Sequence, residues 1–290
     1  MKRVINSIHS FQKDDIYWLG IKLPLILYWY VLTKRVLENY STIPLPVGVC
    51  KLVECDFLFF EEFKLGIVVV IAITSILYLA ERYMKWVTLL IFLISVFVFT
   101  AEEANGVLSR NGMYSFVFFA QSAAYWFHYL RSKQTNLKKS RVQFSIQIVG
   151  FSYFLSGASK MLESGLSWAA DGHRITLQVL KSFYYNWATD GKVEHITKGE
   201  QIVKFIEENS GSLEIMLWAS LLLELFAFTT AVNIKYARFY GVGLLMMHIG
   251  ISMTMDILIM SFVVPMVIVL INPLGLLLSG SQKAIINATR

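Results

Sequence analysis

The length of its apolar runs restricts this chain more than any other feature. Leu65 to Ala80, Trp86 to Thr100, Met113 to Leu130, Val142 to Met161, Leu213 to Val232, Ala237 to Met255 and Ile257 to Leu278 are apolar with few charges. Soluble strands are shorter and alternate apolar with polar residues. Runs of this length instead fit helices surrounded by apolar material, and they approach the roughly 20 residues that cross a bilayer. Trp18 to Leu37 is a further span, interrupted by Lys22, Pro24, Lys34 and Arg35. The second and third spans are short for a 30 Å core and must extend into their flanks or thin the bilayer. Only 16% of residues are charged, against about 25% in soluble proteins. The expected fold is all-α: one polytopic membrane domain over 1–290, a bundle of about eight transmembrane helices with an external amphipathic helical loop over 162–211.

Basic residues orient such a bundle, because cytoplasmic loops carry the excess of Lys and Arg. Arg131, Lys133, Lys138, Lys139 and Arg141 lie between spans four and five with no acid among them. Alternation from a cytoplasmic loop there puts both termini, the Arg82 and Lys85 turn and the Lys235 and Arg238 turn on the cytoplasmic side. Glu38, Glu54, Asp56, Glu61, Glu62, Glu102 and Glu103 then dominate the external loops. Lys34 and Arg35 alone dissent, and snorkelling accommodates them. The basic balance, a formal net charge of +6, therefore reports topology and not nucleic-acid binding. The first seventeen residues lack the apolar stretch of a cleaved signal peptide, so the first span is expected to stay as an anchor, with the lipid bilayer as the chain's partner.

Cys50 and Cys55 share the first external loop. An oxidising face permits a disulfide between them, and their spacing is equally compatible with two free thiols. In the 162–211 loop, Ile175, Val179, Leu180, Phe183 and Trp187 recur at helical spacing, and Glu200 to Glu208 carries Ile202, Val203 and Ile206. These amphipathic pieces either roof a cavity or lie flat on the membrane.

Polar side chains inside the spans point to function, since a charge near the bilayer centre costs at least about 2.5–3.5 kcal/mol. Ser152, Ser156 and Lys160 follow one another at i, i+4 on the fifth span. Ser220 and Glu224 share that spacing on the sixth, as do His248 and Ser252 on the seventh. Gln121, Tyr125 and His128 mark the fourth. Each has a bland reading: Lys160 snorkels, or Glu224 and His248 form a structural pair. Three consecutive helices each offering one polar face favour function.

The segment Tyr153-Phe-Leu-Ser-Gly-Ala-Ser-Lys160-Met, followed by Trp168 and Gly172, resembles the signature of vitamin K-dependent gamma-carboxylase and its bacterial relatives, the horizontally transferred transmembrane (HTTM) family. The resemblance continues through Glu224, Arg238 and His248 and is best over 140–272. It implies that Lys160 is the base that deprotonates a reduced quinone such as vitamin K or menaquinol. The histidine matching His248 is likewise implicated in that site; Glu224 is the candidate that assists them, and Ser156, Trp168 and Arg238 are the candidate substrate-binding residues. A lysine is a base near neutrality only where desolvation disfavours the ammonium, and a membrane cavity supplies that environment. Two departures stand out. The chain ends at Arg290 without the family's large lumenal portion, and Trp168 follows Lys160 at a longer interval. Glutamate carboxylation is therefore not implied. Related short bacterial proteins include one needed to mature a secreted peptide toxin.

Two functions remain open. One is a membrane enzyme using Lys160 on a quinone-like lipid or an exported peptide. The other is a noncatalytic accessory of a secreted-peptide maturation or export system, with Lys160 paired structurally to Glu224. A nucleotide-driven pump would need a phosphate-cradling G-x-x-x-x-G-K-[ST] loop. The five histidines are too scattered for a di-iron centre, so no metal site is expected, and no internal repeat suggests a secondary transporter. Pro265 and the Asn272-Pro273 pair predict a kink in the last span.

Overall fold

The computed structural model describes residues 2–38, 48–51, 57, 60–104, 112–131, 137–165, 167–170, 172–255 and 260–279. They are helical throughout, with no strand among the described residues. The α-helices are α1 (Lys2–Glu38), α2 (Glu61–Leu79), α3 (Met84–Ala104), α4 (Gly112–Leu130), α5 (Leu137–Ser164), α6 (Ser167–Ala170), α7 (Gly172–Asp190), α8 (Glu194–Glu208), α9 (Ser210–Leu225), α10 (Ile234–Met255) and α11 (Met260–Met266). The described residues form two compact units, 1–149 with 264–290, and 150–263.

Among the described residues, three helices are long and apolar enough to cross a membrane: Asp15–Glu38, Glu61–Leu79 and Met260–Ser279. A shorter apolar stretch, Met84–Phe99, lies in α3. On α2, Leu65, Val69, Ile73 and Ile76 form an exposed apolar face, the surface a lipid-facing helix presents.

In the first unit α1 supplies the core. Trp18, Ile21, Leu25 and Trp29, spaced three or four apart, are fully buried, as one stripe of an amphipathic helix requires. The Trp29 indole donates to Ser95 Oγ at 2.7 Å, and Tyr78 donates to Gln121 Oε1 at 2.8 Å. The helix starts well before Trp18 because hydropathy marks only the apolar part of a helix, and the polar residues before it continue the same hydrogen-bonded turns. The kink in the last span falls at Asn272, after a π-helical turn, Val267–Ile271. Asn272 adopts a left-handed conformation (φ 53°), donates to the Tyr17 carbonyl at 2.7 Å and accepts from the Gly275 amide at 3.0 Å. A Cβ on Gly20 would collide with Asn272 and with the Gly275 backbone, so α1 meets this segment through bare backbone.

One charged cluster here was not anticipated as a unit. Glu81, in the turn between α2 and α3, accepts from Trp18 Nε1 at 3.0 Å and Lys22 Nζ at 2.9 Å on one oxygen, and from Arg141 Nη1 at 2.9 Å on the other. Lys22 also caps the Leu79 carbonyl at 3.0 Å. The two basic residues that looked like an interruption of span one and part of a loop are therefore both committed to one carboxylate. Burial works against the Glu81 charge, yet the hydrogen bonds from Lys22 and then Arg141 outweigh it and hold the carboxyl at about 2, below its ordinary 4.5. A group depressed in this way contributes stability above its unfolded value and loses it as pH falls through the folded one. Thermal unfolding followed down from about pH 6 should therefore show a loss beginning below about pH 4.5 and completed near pH 2. Glu81→Gln should flatten that part of the profile; an unchanged acid profile would show that Glu81 does not carry it.

In the second unit, α7 and α8 pack on each other. Val179 and Phe183 are buried against Ile206, with Ile202 and Val203 beside them, and Phe183 lies on Gly199, where a Cβ would come within 2.9 Å. The two amphipathic faces thus cover one another. Leu177, Tyr184 and Tyr185 of α7 remain exposed. The stretch expected as a continuous sixth span, 213–232, is α-helical only to Leu225 and then becomes the 3-10 segment Ala227–Ala231. There Thr229 turns its hydroxyl onto the Phe226 carbonyl at 2.7 Å, competing with the helical ladder.

Candidate functional site

The site lies wholly within the second unit and is assembled from α5, α6, α9 and α10. The approach of α5 to α9 depends on glycine. A Cβ at Gly157 would come within 3.0 Å of Glu224 Cβ and 3.1 Å of the Leu225 backbone nitrogen. Gly150, seven residues earlier on the same face, would collide with Thr230 and with the Ala227 carbonyl. With two missing side chains on one face, the backbones come close enough for short polar groups to meet.

Lys160, one turn after Gly157, uses that proximity. Its Nζ lies 2.6 Å from Glu224 Oε2, a charge-assisted hydrogen bond at the short end of its class. The carboxylate is almost wholly enclosed, its side chain 4% exposed, whereas the lysine side chain is 28% exposed. Ser156 lies one turn before Lys160 on the same face of α5. Across the amine from Glu224, the Trp168 ring lies with its centroid 4.6 Å from Nζ, within cation–π range. Trp168 is held there by its neighbour Ala169, which is buried against Leu217 and Leu221 of α9.

A second polar pair sits on the same side of α5. Tyr153 lies seven residues before Lys160, two helical turns along one face, and its hydroxyl is 2.8 Å from His248 Nε2 of α10. The two rings are edge to face, 5.8 Å apart. Gly243 lets α10 close on α9, since a Cβ there would come within 3.0 Å of Leu223 Cδ1. Ser220 donates to the Met247 sulfur at 2.9 Å.

The structure therefore joins three of the sequence candidates directly, Lys160, Glu224 and Trp168, with Ser156 one turn from Lys160. His248 belongs to the same unit but bonds to Tyr153. Arg238 lies ten residues before His248 on α10, about 15 Å along its axis. Tyr153 was overlooked as a site residue although its i, i+7 relation to Lys160 was readable. Gln121 and Tyr125 serve the first unit, where Tyr125 accepts from Arg141 at 3.4 Å. Cys50 is disulfide-bonded, and Cys55 lies outside the described residues. Among the described residues, no three His, Cys, Asp or Glu side chains gather to hold a metal ion.

Chemically, the arrangement offers an amine hydrogen-bonded to an enclosed carboxylate, with an aromatic face beside it. Transfer of the shared proton across the 2.6 Å bond gives a neutral amine and a neutral acid, and the amine is the member of the pair that remains accessible. No protein-family model, curated protein or solved structure matches this chain.

Proposed function

We propose that this chain is a multi-pass bacterial inner-membrane protein of the HTTM type, with about eight spans and both termini in the cytoplasm. In this reading Lys160 is a general base acting on a quinone-like lipid or an exported peptide. The observation that carries it is the accessible Lys160 amine, bonded at 2.6 Å to the enclosed Glu224 carboxylate and facing the Trp168 ring at 4.6 Å. The exposed apolar face of α2 and the three helices of spanning length support membrane residence.

The residues present suit a flat aromatic ligand with an acidic hydroxyl. Trp168 supplies a ring surface, and Lys160 the acceptor. A reduced quinone would bring a phenolic O–H as the proton source. Glu224 holds the proton that Lys160 gives up, which leaves the amine lone pair free to accept one from the ligand. Tyr153 orients the His248 ring.

Mass spectrometry of organic extracts from the detergent-purified protein tests this reading. A prenylated quinone should copurify at several times the level found with an unrelated membrane protein prepared alongside, and Trp168→Ala should lower it. Equal background in both preparations would count against the quinone substrate.

The ion pair itself favours a second reading, in which Lys160 and Glu224 fasten α5 to α9 in a noncatalytic accessory of peptide maturation or export. The double substitution taken up in the Discussion separates the two.

A further inference from the structure

Several cations of this protein have an acid beside them. Lys22, Lys64, Arg141, Lys160, Lys192 and Lys204 each lie 2.6–3.9 Å from a carboxylate. Arg82, Lys85 and Arg131 differ: among the described residues none is ion-paired to an acid, and two of them rest on aromatic rings instead. Lys85 Nζ is 5.2 Å from the Trp86 ring centroid, 5.1 Å from that of Trp126 and 3.9 Å from that of Tyr129. The Arg131 guanidinium lies 5.0 Å from the Phe127 ring. Arg82 is exposed, as are Tyr83, Trp86 and Tyr129. All belong to the first unit, at the end where the α2–α3 turn meets the end of α4.

The turn that presents Arg82 and Lys85 is held in an unusual conformation. Glu81 and Tyr83 both have φ of 53°, a left-handed conformation that ordinary residues adopt only when their surroundings impose it. Three donors, from Trp18, Lys22 and Arg141, hold the Glu81 side chain at this turn. They also occupy the one carboxylate of the turn, so it is not available to Arg82 or Lys85. This end of the unit thus carries three cations with hydrogen-bond donors to spare, a collar set among Trp and Tyr side chains of the kind that concentrate at a membrane–water boundary.

We infer that this collar binds the headgroup phosphate of an anionic phospholipid in the cytoplasmic leaflet. The inference rests on the membrane placement proposed above and is independent of the Lys160 chemistry. A phosphate diester supplies the acceptor oxygens and negative charge that the three cations lack, its acyl chains continue into the bilayer, and Trp86, Trp126 and Tyr129 pack beside its glycerol region. Juxtamembrane cations contribute to such binding roughly fivefold each.

Native mass spectrometry of the full chain, released from nanodiscs of equal phosphatidylglycerol and phosphatidylcholine, is the test. The wild-type protein should retain phosphatidylglycerol in preference, and Arg82→Gln/Lys85→Gln/Arg131→Gln should reduce that preference at least tenfold. Lys181→Gln/Lys192→Gln/Lys204→Gln removes the same net charge elsewhere and should leave it intact. Arg82→Gln alone, at an exposed position, should give about a fivefold loss and serves if the triple variant does not fold. Equal retention of the two lipids by wild type, or equal losses in both triple variants, would overturn the inference. Extraction of the protein from membranes by alkaline carbonate would overturn it through the placement, with no bearing on whether Lys160 is a base.

Discussion

Lys160→Met is expected to destabilise the detergent-purified protein by about 3–5 kcal/mol, the range for removing one partner of a buried ion pair. The cost arises on the other side of the pair. Glu224, 4% exposed, would lose its 2.6 Å ammonium contact and be left as an unpaired carboxyl in an enclosed site, at the cost of an uncompensated charge or of taking up a proton. Adding Glu224→Gln removes the stranded charge, so the double variant should recover most of the stability lost in the single one. A coupling energy above about 1 kcal/mol in this cycle marks a direct interaction; strictly additive losses would show that the two side chains do not depend on each other. Function then separates from stability. If Lys160 is the base, the double variant is abundant and folded yet as inactive as a deletion strain. If the pair only fastens α5 to α9, the double variant works. Comparing melting in detergent with complementation of the deletion phenotype, in the same four proteins, decides between the enzyme and the accessory.

How much of this was readable beforehand depended on whether a residue's partner lay close in sequence or far from it. Helical periodicity is local, so the apolar runs and the polar face of Ser152, Ser156 and Lys160 could be read directly. The pairing of Lys160 with Glu224 was open to inference because both are ionisable groups in apolar segments, where few partners exist. The Glu81 cluster shows the opposite case. Lys22 looked like a flaw in a span and Arg141 like one charge of a loop, and Glu81 drew no notice. Their meeting depends on α1, the α2–α3 turn and α5 converging across about 60 residues at each step, which no local pattern encodes. The same limit applied to α7 and α8. Each shows an amphipathic face, and a single helix cannot reveal whether that face meets lipid, a cavity or the other helix. The end of α9 at Leu225 was hidden for a different reason: hydropathy does not distinguish an α-helix from the tighter 3-10 turn that follows it. Arg238 matched in sequence order, but ten helical residues separate it from His248, a distance that order alone conceals.

Gly157→Leu is the second substitution with a large expected effect. Even the first added carbon would lie 3.0 Å from Glu224 Cβ and 3.1 Å from the Leu225 backbone nitrogen. The nitrogen belongs to the helix itself, so relief requires α9 to move as a body and not a side chain to rotate. Overpacking of this kind costs about 1–3 kcal/mol, and a leucine, whose further carbons point into the same seam, should fall at the upper end. The displacement also reaches the site, because Lys160 is one turn from Gly157 and its partner Glu224 is the residue being pushed. Gly157→Leu should therefore lower the melting temperature and weaken the Lys160–Glu224 coupling together, so that adding Lys160→Met to Gly157→Leu costs much less than Lys160→Met does in the wild-type background. Gly157→Ala should show both effects in milder form, since a shift of a few tenths of an ångström accommodates one methyl group. If Gly157→Leu melts like wild type and leaves the cost of Lys160→Met undiminished, the close approach of α5 and α9 is not what brings the amine and the carboxylate together.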